Sequence, residues 1–151
     1  MLEAAPTQIA ASVTGLEPAR LQAAPKPDEW SASDILAHLR ACADVWGGYI
    51  AAMLAQDRPV LRTTNPRTWM TKTDYPQQPF LASLPAFTAQ RIDLLARLTD
   101  LHPESWARTA IMKGAGKPIE QSVFSYARDM AIHERSHVKQ IGRLAAAMRN
   151  L

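Results

Sequence analysis

The sequence predicts one small all-α bundle, on three observations. Apolar residues recur at helical rather than alternating spacing, and alanine is abundant while only 6 of 151 residues are glycine. A hydrophobic content of 47% over 151 residues is enough for one core, so a single domain over 1–151 is expected. No stretch of about 18 consecutive apolar residues occurs, so no membrane span is expected. The start of the chain carries no basic leader followed by an apolar run, from which a cytoplasmic location is expected.

The first helix is expected from about Thr7 to Thr14, with Ile9, Val13 and Leu16 on one side and Gly15 as its stop. The second is expected from Ser31, where Asp34 three residues on completes a capping box with Asp in place of the usual Glu, to about Gln56. A third is expected to start at Ser83 as N-cap, to tolerate Pro85 in its first turn, and to carry Leu84, Phe87, Ile92, Leu95 and Leu98 to about Thr99. The fourth runs from after Pro118 to Met148 with no internal proline.

Two connections break the pattern. Arg58 to Phe80 holds Pro59, Pro66, Pro76 and Pro79 among polar residues and Trp69, and a connection of that length is expected to act as a functional lid. Leu101 to Pro118 has Trp106 to Met112 as a short strand before a Gly114 to Gly116 turn.

A single cysteine, Cys42, allows no intrachain disulfide and no cysteine-rich zinc site, and its expected role is packing. The net charge of +3 comes from basic and acidic residues that are interleaved, which argues against a nucleic-acid partner.

Four histidines remain, and two of them sit one helical turn apart. On a helical projection Tyr126, Met130, His133, His137, Ile141, Leu144 and Met148 fall within an arc of roughly 80°. Arg128, Arg135, Lys139 and Arg143 lie opposite, as a solvated face. On the second helix His38 shares a face with Ile35, Cys42, Val45, Trp46, Tyr49 and Met53, with Arg40, Asp44 and Gly47 opposite. Each buried imidazole left without a partner would cost about 1–3 kcal/mol. Separate hydrogen bonds would satisfy them one at a time; a shared metal ion would satisfy all three, and the i, i+4 pair favours it. His102, before Pro103, is expected to be exposed and uninvolved.

His133 to His137 also spells HExxH, the zinc-protease pattern in which the glutamate is the general base. Those enzymes draw a third ligand from downstream, whereas Val138 to Leu151 offers no His, Asp, Glu or Cys. The third ligand is therefore expected upstream, at His38, and Glu134 is expected at the surface or at a helix interface.

Three segments carry a family resemblance: Glu29-Trp30-Ser31 followed by Ile35-Leu36-Ala37-His38-Leu39, then Gly116-Lys117-Pro118, then His133-Glu134-Arg135-Ser136-His137-Val138-Lys139-Gln140-Ile141. Together, from about Leu21 to Leu144, they resemble the DinB-like (damage-inducible, DinB/YfiT-like) metalloenzyme family. The resemblance implies a four-helix bundle of up-down-down-up type and a divalent metal, zinc or nickel, on His38, His133 and His137. It also implies frequent homodimers and transferase or isomerase chemistry with a low-molecular-weight thiol. From the residues alone, thiol-dependent S-transfer and hydrolysis of a small molecule both stay open, as does a non-catalytic, metal-stabilised stress-response or binding module. Arg91, inside an apolar stripe, and Tyr126, on the histidine face, are the further candidates to line a substrate or cofactor pocket.

Overall fold

The computed structural model describes residues 1–151. In chain order the helices are α1 (Ala5–Val13), α2 (Pro18–Gln22), α3 (Ala32–Ala55), α4 (Pro66–Met70), α5 (Phe80–Leu98), α6 (Pro103–Trp106) and α7 (Val123–Arg149). A small sheet of β1 (Val60–Arg62), β2 (Thr109–Lys113) and β3 (Ile119–Ser122) lies at one end. The bundle itself is a ring of four helices. α3 packs on both α5 and α7, and α1 closes the ring against the same two. No helix is long and apolar enough to cross a membrane.

The starts of the two long helices follow from local side-chain chemistry. Ser31 Oγ accepts from the Asp34 amide (3.1 Å) while the Asp34 carboxylate accepts from the Ser31 amide (2.9 Å), the expected capping box of α3. α7 begins later than expected because Ile119 to Ser122 pair with β2 as an antiparallel strand. Ser122 then caps it, accepting from the Ser125 amide (3.1 Å) as Ser125 Oγ accepts from the Ser122 amide (2.9 Å). α1 ends where Gly15 takes a φ of 77°, as expected of a left-handed stop.

α5 departs from expectation. It starts one turn earlier, with Pro79 and not Ser83 as its N-cap, so Pro85 lies inside the helix and withholds the N–H that would bond Leu81. Ser83 is buried instead, where its Oγ accepts from Arg40 Nη1 (3.0 Å). The inward stripe is Phe80, Ser83, Phe87, Arg91, Leu94 and Leu98, and Ile92 is 62% exposed.

The Arg58 to Phe80 connection is not structureless. It contributes β1, which pairs in parallel with β2 through Val60 and Ile111, and then α4 and a single 3-10 turn at Tyr75–Gln77. Polar groups of α3 hold it down. Asp44 Oδ2 accepts from Trp69 Nε1 (3.0 Å) and Tyr75 Oη (2.7 Å), and its Oδ1 accepts from Gln90 Nε2 (2.6 Å). Tyr49 Oη accepts from the Thr64 amide (2.7 Å) and donates to the Arg62 carbonyl (3.1 Å). Arg40 stacks under Tyr75, 3.8 Å from the ring centre, and is itself buried. The face of α3 opposite His38 is therefore covered at Arg40 and partly covered at Asp44.

Two apolar clusters fill the bundle. One joins α1 to Ile35, Leu36, Leu39, Phe80, Phe87 and Ile141. The other, nearer the sheet, joins Ile50, Met53, Leu94, Leu98, Met112, Val123 and Met130. In sequence order each long helix changes cluster across a gap: between Leu39 and Ile50 on α3, Phe87 and Leu94 on α5, Met130 and Val138 on α7. The chain places His38, Cys42, Arg91, His133, Glu134 and His137 at or beside these gaps. A polar layer thus divides two apolar ones.

Candidate metal centre

α3 and α7 supply one side of that layer as two facing pairs at i, i+4 spacing. His38 and Cys42 come from α3, and His133 and His137 from α7. His133 Nε2 stands 3.3 Å from His38 Nε2 and 3.2 Å from His137 Nε2. The three rings are mutually edge-on, with His38 to His137 centroids 5.1 Å apart. His38, Cys42 and His133 each offer a donor atom within 4.8 Å of the others. His102 is exposed at the start of α6 and takes no part.

All three imidazoles are held neutral. Burial pushes His38 down to about 4, helped by the neighbouring histidines, and pushes His133 to about 4 for the same reason. His137 is also lowered by burial, against the opposing pull of its bond to Gln140. His137 Nδ1 donates to Gln140 Oε1 (3.1 Å), which leaves its Nε2 a lone pair facing His133. His133 Nδ1 is buried and has no partner. Neutral imidazole nitrogens gathered at these distances fit a shared divalent cation, which would take their lone pairs at once.

The cluster has aromatic walls and one cleft beside it. Trp30 lies 5.0 Å from the His38 ring and Trp46 4.9 Å from the His133 ring. Arg67, from α4, stacks on Trp30 at 4.8 Å. Trp30, Arg67, His137 and Gln140 line a cleft of ≈ 330 Å³ whose rim also carries Asp28 and Glu29. A larger cleft of ≈ 630 Å³ runs between Val60–Thr63 and Lys113–Ala115 and includes none of the histidines.

The remaining candidates fall elsewhere. Arg91 is buried on α5, where its Nη2 donates to Glu134 Oε2 of α7 and its Nη1 to the Leu2 carbonyl (3.4 Å). Burial pushes the Glu134 carboxyl up while Arg91 pulls it back, and this pairing leaves neither side chain in the histidine cleft. The helix-interface alternative for Glu134 is the observed one. The most buried stripe of α7 runs through Glu134 rather than His133, about one residue from the expected one, and both histidines lie to one side of it. Tyr126 packs on Tyr49 at 5.3 Å, and burial pushes its phenol up to about 12. Arg67 and Trp30 carry no periodic signal that would mark them as site residues in the sequence. Cys42, expected to pack, stands one turn after His38 on the same face of α3.

A family model described as the DinB superfamily matches residues 1–141. No curated protein matches the chain. Among solved structures, YfiT from Bacillus subtilis, described as a probable metal-dependent hydrolase with an unusual four-helix bundle topology, superposes with a TM-score of 0.81 at 16% identity, covering 97% of this chain and 83% of that one. At that identity the likeness establishes the bundle fold, including its topology. The family match spans nearly the whole chain, and the chain belongs to the DinB superfamily.

Proposed function

We propose that the protein is a metal-dependent enzyme acting on a small molecule, with His38, His133 and His137 as ligands of a divalent ion, zinc or nickel. The convergence of three neutral imidazole nitrogens at 3.2 and 3.3 Å, open to a cleft at His137, carries the reading. The structural neighbour, described as a probable metal-dependent hydrolase, lends it support. An ion there supplies Lewis acidity, which makes a water or thiol nucleophilic near neutral pH.

The chain's own residues then have definite tasks. Gln140 fixes the His137 tautomer, Trp30 and Trp46 keep bulk water from the ligand rings, and Arg67 at the cleft wall offers a cation to an anionic part of a substrate. Between the two chemistries, thiol-dependent S-transfer with a low-molecular-weight thiol is the one we favour, on the family; hydrolysis is the other arm of the assay.

Elemental analysis of protein purified without a histidine tag tests the first step. About one equivalent of zinc or nickel is expected, lost in His38→Ala. Less than about a tenth of an equivalent, with no gain on adding either metal, would overturn the reading. Turnover of thiol plus electrophile, against ester or amide hydrolysis, then separates the chemistries. Loaded protein with no turnover in either, and a His38→Ala defect confined to stability, would identify the metal as structural.

A further inference from the structure

We infer that Cys42 is a further protein ligand to the ion, so that the centre carries a thiolate beside its imidazoles. The inference rests on the metal reading above and concerns the one donor that reading leaves out. Donors around a tetrahedral zinc lie at about 2.0 Å for nitrogen and about 2.3 Å for sulfur, so two nitrogens stand roughly 3.3 Å apart and a nitrogen and a sulfur roughly 3.6 Å apart. The observed separations are 3.3 Å for His38 to His133, 3.2 Å for His133 to His137 and 3.5 Å from Cys42 Sγ to His38 Nε2, and Cys42 falls in one donor group with His38 and His133. The sulfur thus stands from the nitrogen as one tetrahedral ligand stands from the next.

A packing cysteine would show other neighbours. Cys42 is buried and its Sγ has polar contacts only with the two ring nitrogens of His38, at 3.5 and 4.0 Å. His38, 4% exposed, has in turn no carbonyl or carboxylate at either nitrogen; its polar neighbours are His133 and Cys42 alone. A buried imidazole so placed, beside a thiol and facing a second imidazole, lacks the usual acceptor that makes a core histidine self-sufficient. The pair His38 and Cys42 on α3 repeats the spacing of His133 and His137 on α7, so each helix presents two donors from successive turns.

Coordination by Cys42 requires loss of the S–H proton to solvent as the metal–sulfur bond forms. A donor set of imidazole nitrogens and one thiolate would favour zinc over harder ions such as magnesium or manganese. The cleft beside His137 would give a substrate donor access to an ion so held.

X-ray absorption of the zinc-loaded, tag-free protein reads the ligand directly and needs no variant. One sulfur scatterer at about 2.3 Å beside nitrogen scatterers at about 2.0 Å is expected. The cobalt(II)-loaded protein should show a near-ultraviolet thiolate-to-cobalt charge-transfer band. Cys42→Ala and Cys42→Ser should both lose that band while still binding cobalt through the histidines, with affinity weakened by at least about tenfold, a scale that even outer partners of a metal reach. A full equivalent of metal with nitrogen or oxygen scatterers only, and no charge-transfer band, would overturn the inference and leave the three-histidine reading standing. Failure to take up zinc or cobalt at all would overturn both.

Discussion

Arg91 and Glu134 show how much one residue pair can decide in a small bundle. Both are nearly inaccessible, at 2% and 5% exposure, and each sits in the middle of the inward stripe of its helix. Two desolvated charges are stable there only as a pair, and breaking such a pair costs about 3–5 kcal/mol. Arg91→Ala is expected to destabilise by that amount in urea unfolding, while Arg91→Leu combined with Glu134→Leu should recover most of it, because an apolar pair leaves no orphan charge. Near-equal losses in the single and double variants would contradict this account. Metal content of the double variant should stay at wild-type level, since neither side chain lines the histidine cleft or belongs to the donor group. The HExxH spelling is thus split by geometry, its histidines to one side and its glutamate to another.

The element that most needed tertiary structure is the Arg58 to Phe80 connection. Its anchor is Asp44, whose carboxylate accepts from Trp69, Tyr75 and Gln90. Hydrogen bonds to a charged group contribute roughly 1.5–3 kcal/mol in favourable cases, less where solvent reaches them. Asp44→Ala is expected to release Pro66 to Gln78 locally while leaving the bundle folded. Hydrogen exchange should show faster exchange in α4 and the 3-10 turn, with protection in α3, α5 and α7 unchanged. Uniform loosening of the whole protein would show that the connection is part of the core rather than a cover strapped onto it. Because Arg67 rides on α4, the same variant should weaken binding of anionic substrates more than binding of the metal.

At the scale of the whole molecule, the histidine cluster ties folding to pH. His38 and His133 titrate in the folded chain at about 4, below the unfolded value of 6.5, and His137 is lowered in the same direction. The unfolded chain therefore binds protons more tightly, and acid favours it. The stability these groups permit is fully present above about 6.5 and is lost as pH falls through 6.5 toward 4, levelling once the folded imidazoles also protonate. Urea midpoints of chelator-treated protein should fall between pH 6.5 and 5, before most carboxylates titrate, and His133→Gln should flatten that fall. A midpoint flat across this interval would show that the imidazoles are solvated in the metal-free protein. With metal bound the same window should steepen, since protons and metal compete for the same nitrogens.

How much of this was legible in the chain divides along physical lines. Helical spacing, the Ser31 and Asp34 box and the Gly15 stop are local, and they located α1, α3 and the body of α7 in the sequence. The four-residue spacing of His133 and His137, and the inward face of His38, are also local and singled out three imidazoles, of which His133 stands beside the other two. Ile92 and Arg40 could not be placed this way, because which flank of an amphipathic helix is covered depends on what packs against it. The β1 to β2 pairing, the cover anchored on Asp44, and the approach of Cys42 to the cluster involve partners tens of residues away or the rotation of one helix against another. A periodicity fixes which residues share a face; only packing decides what that face meets.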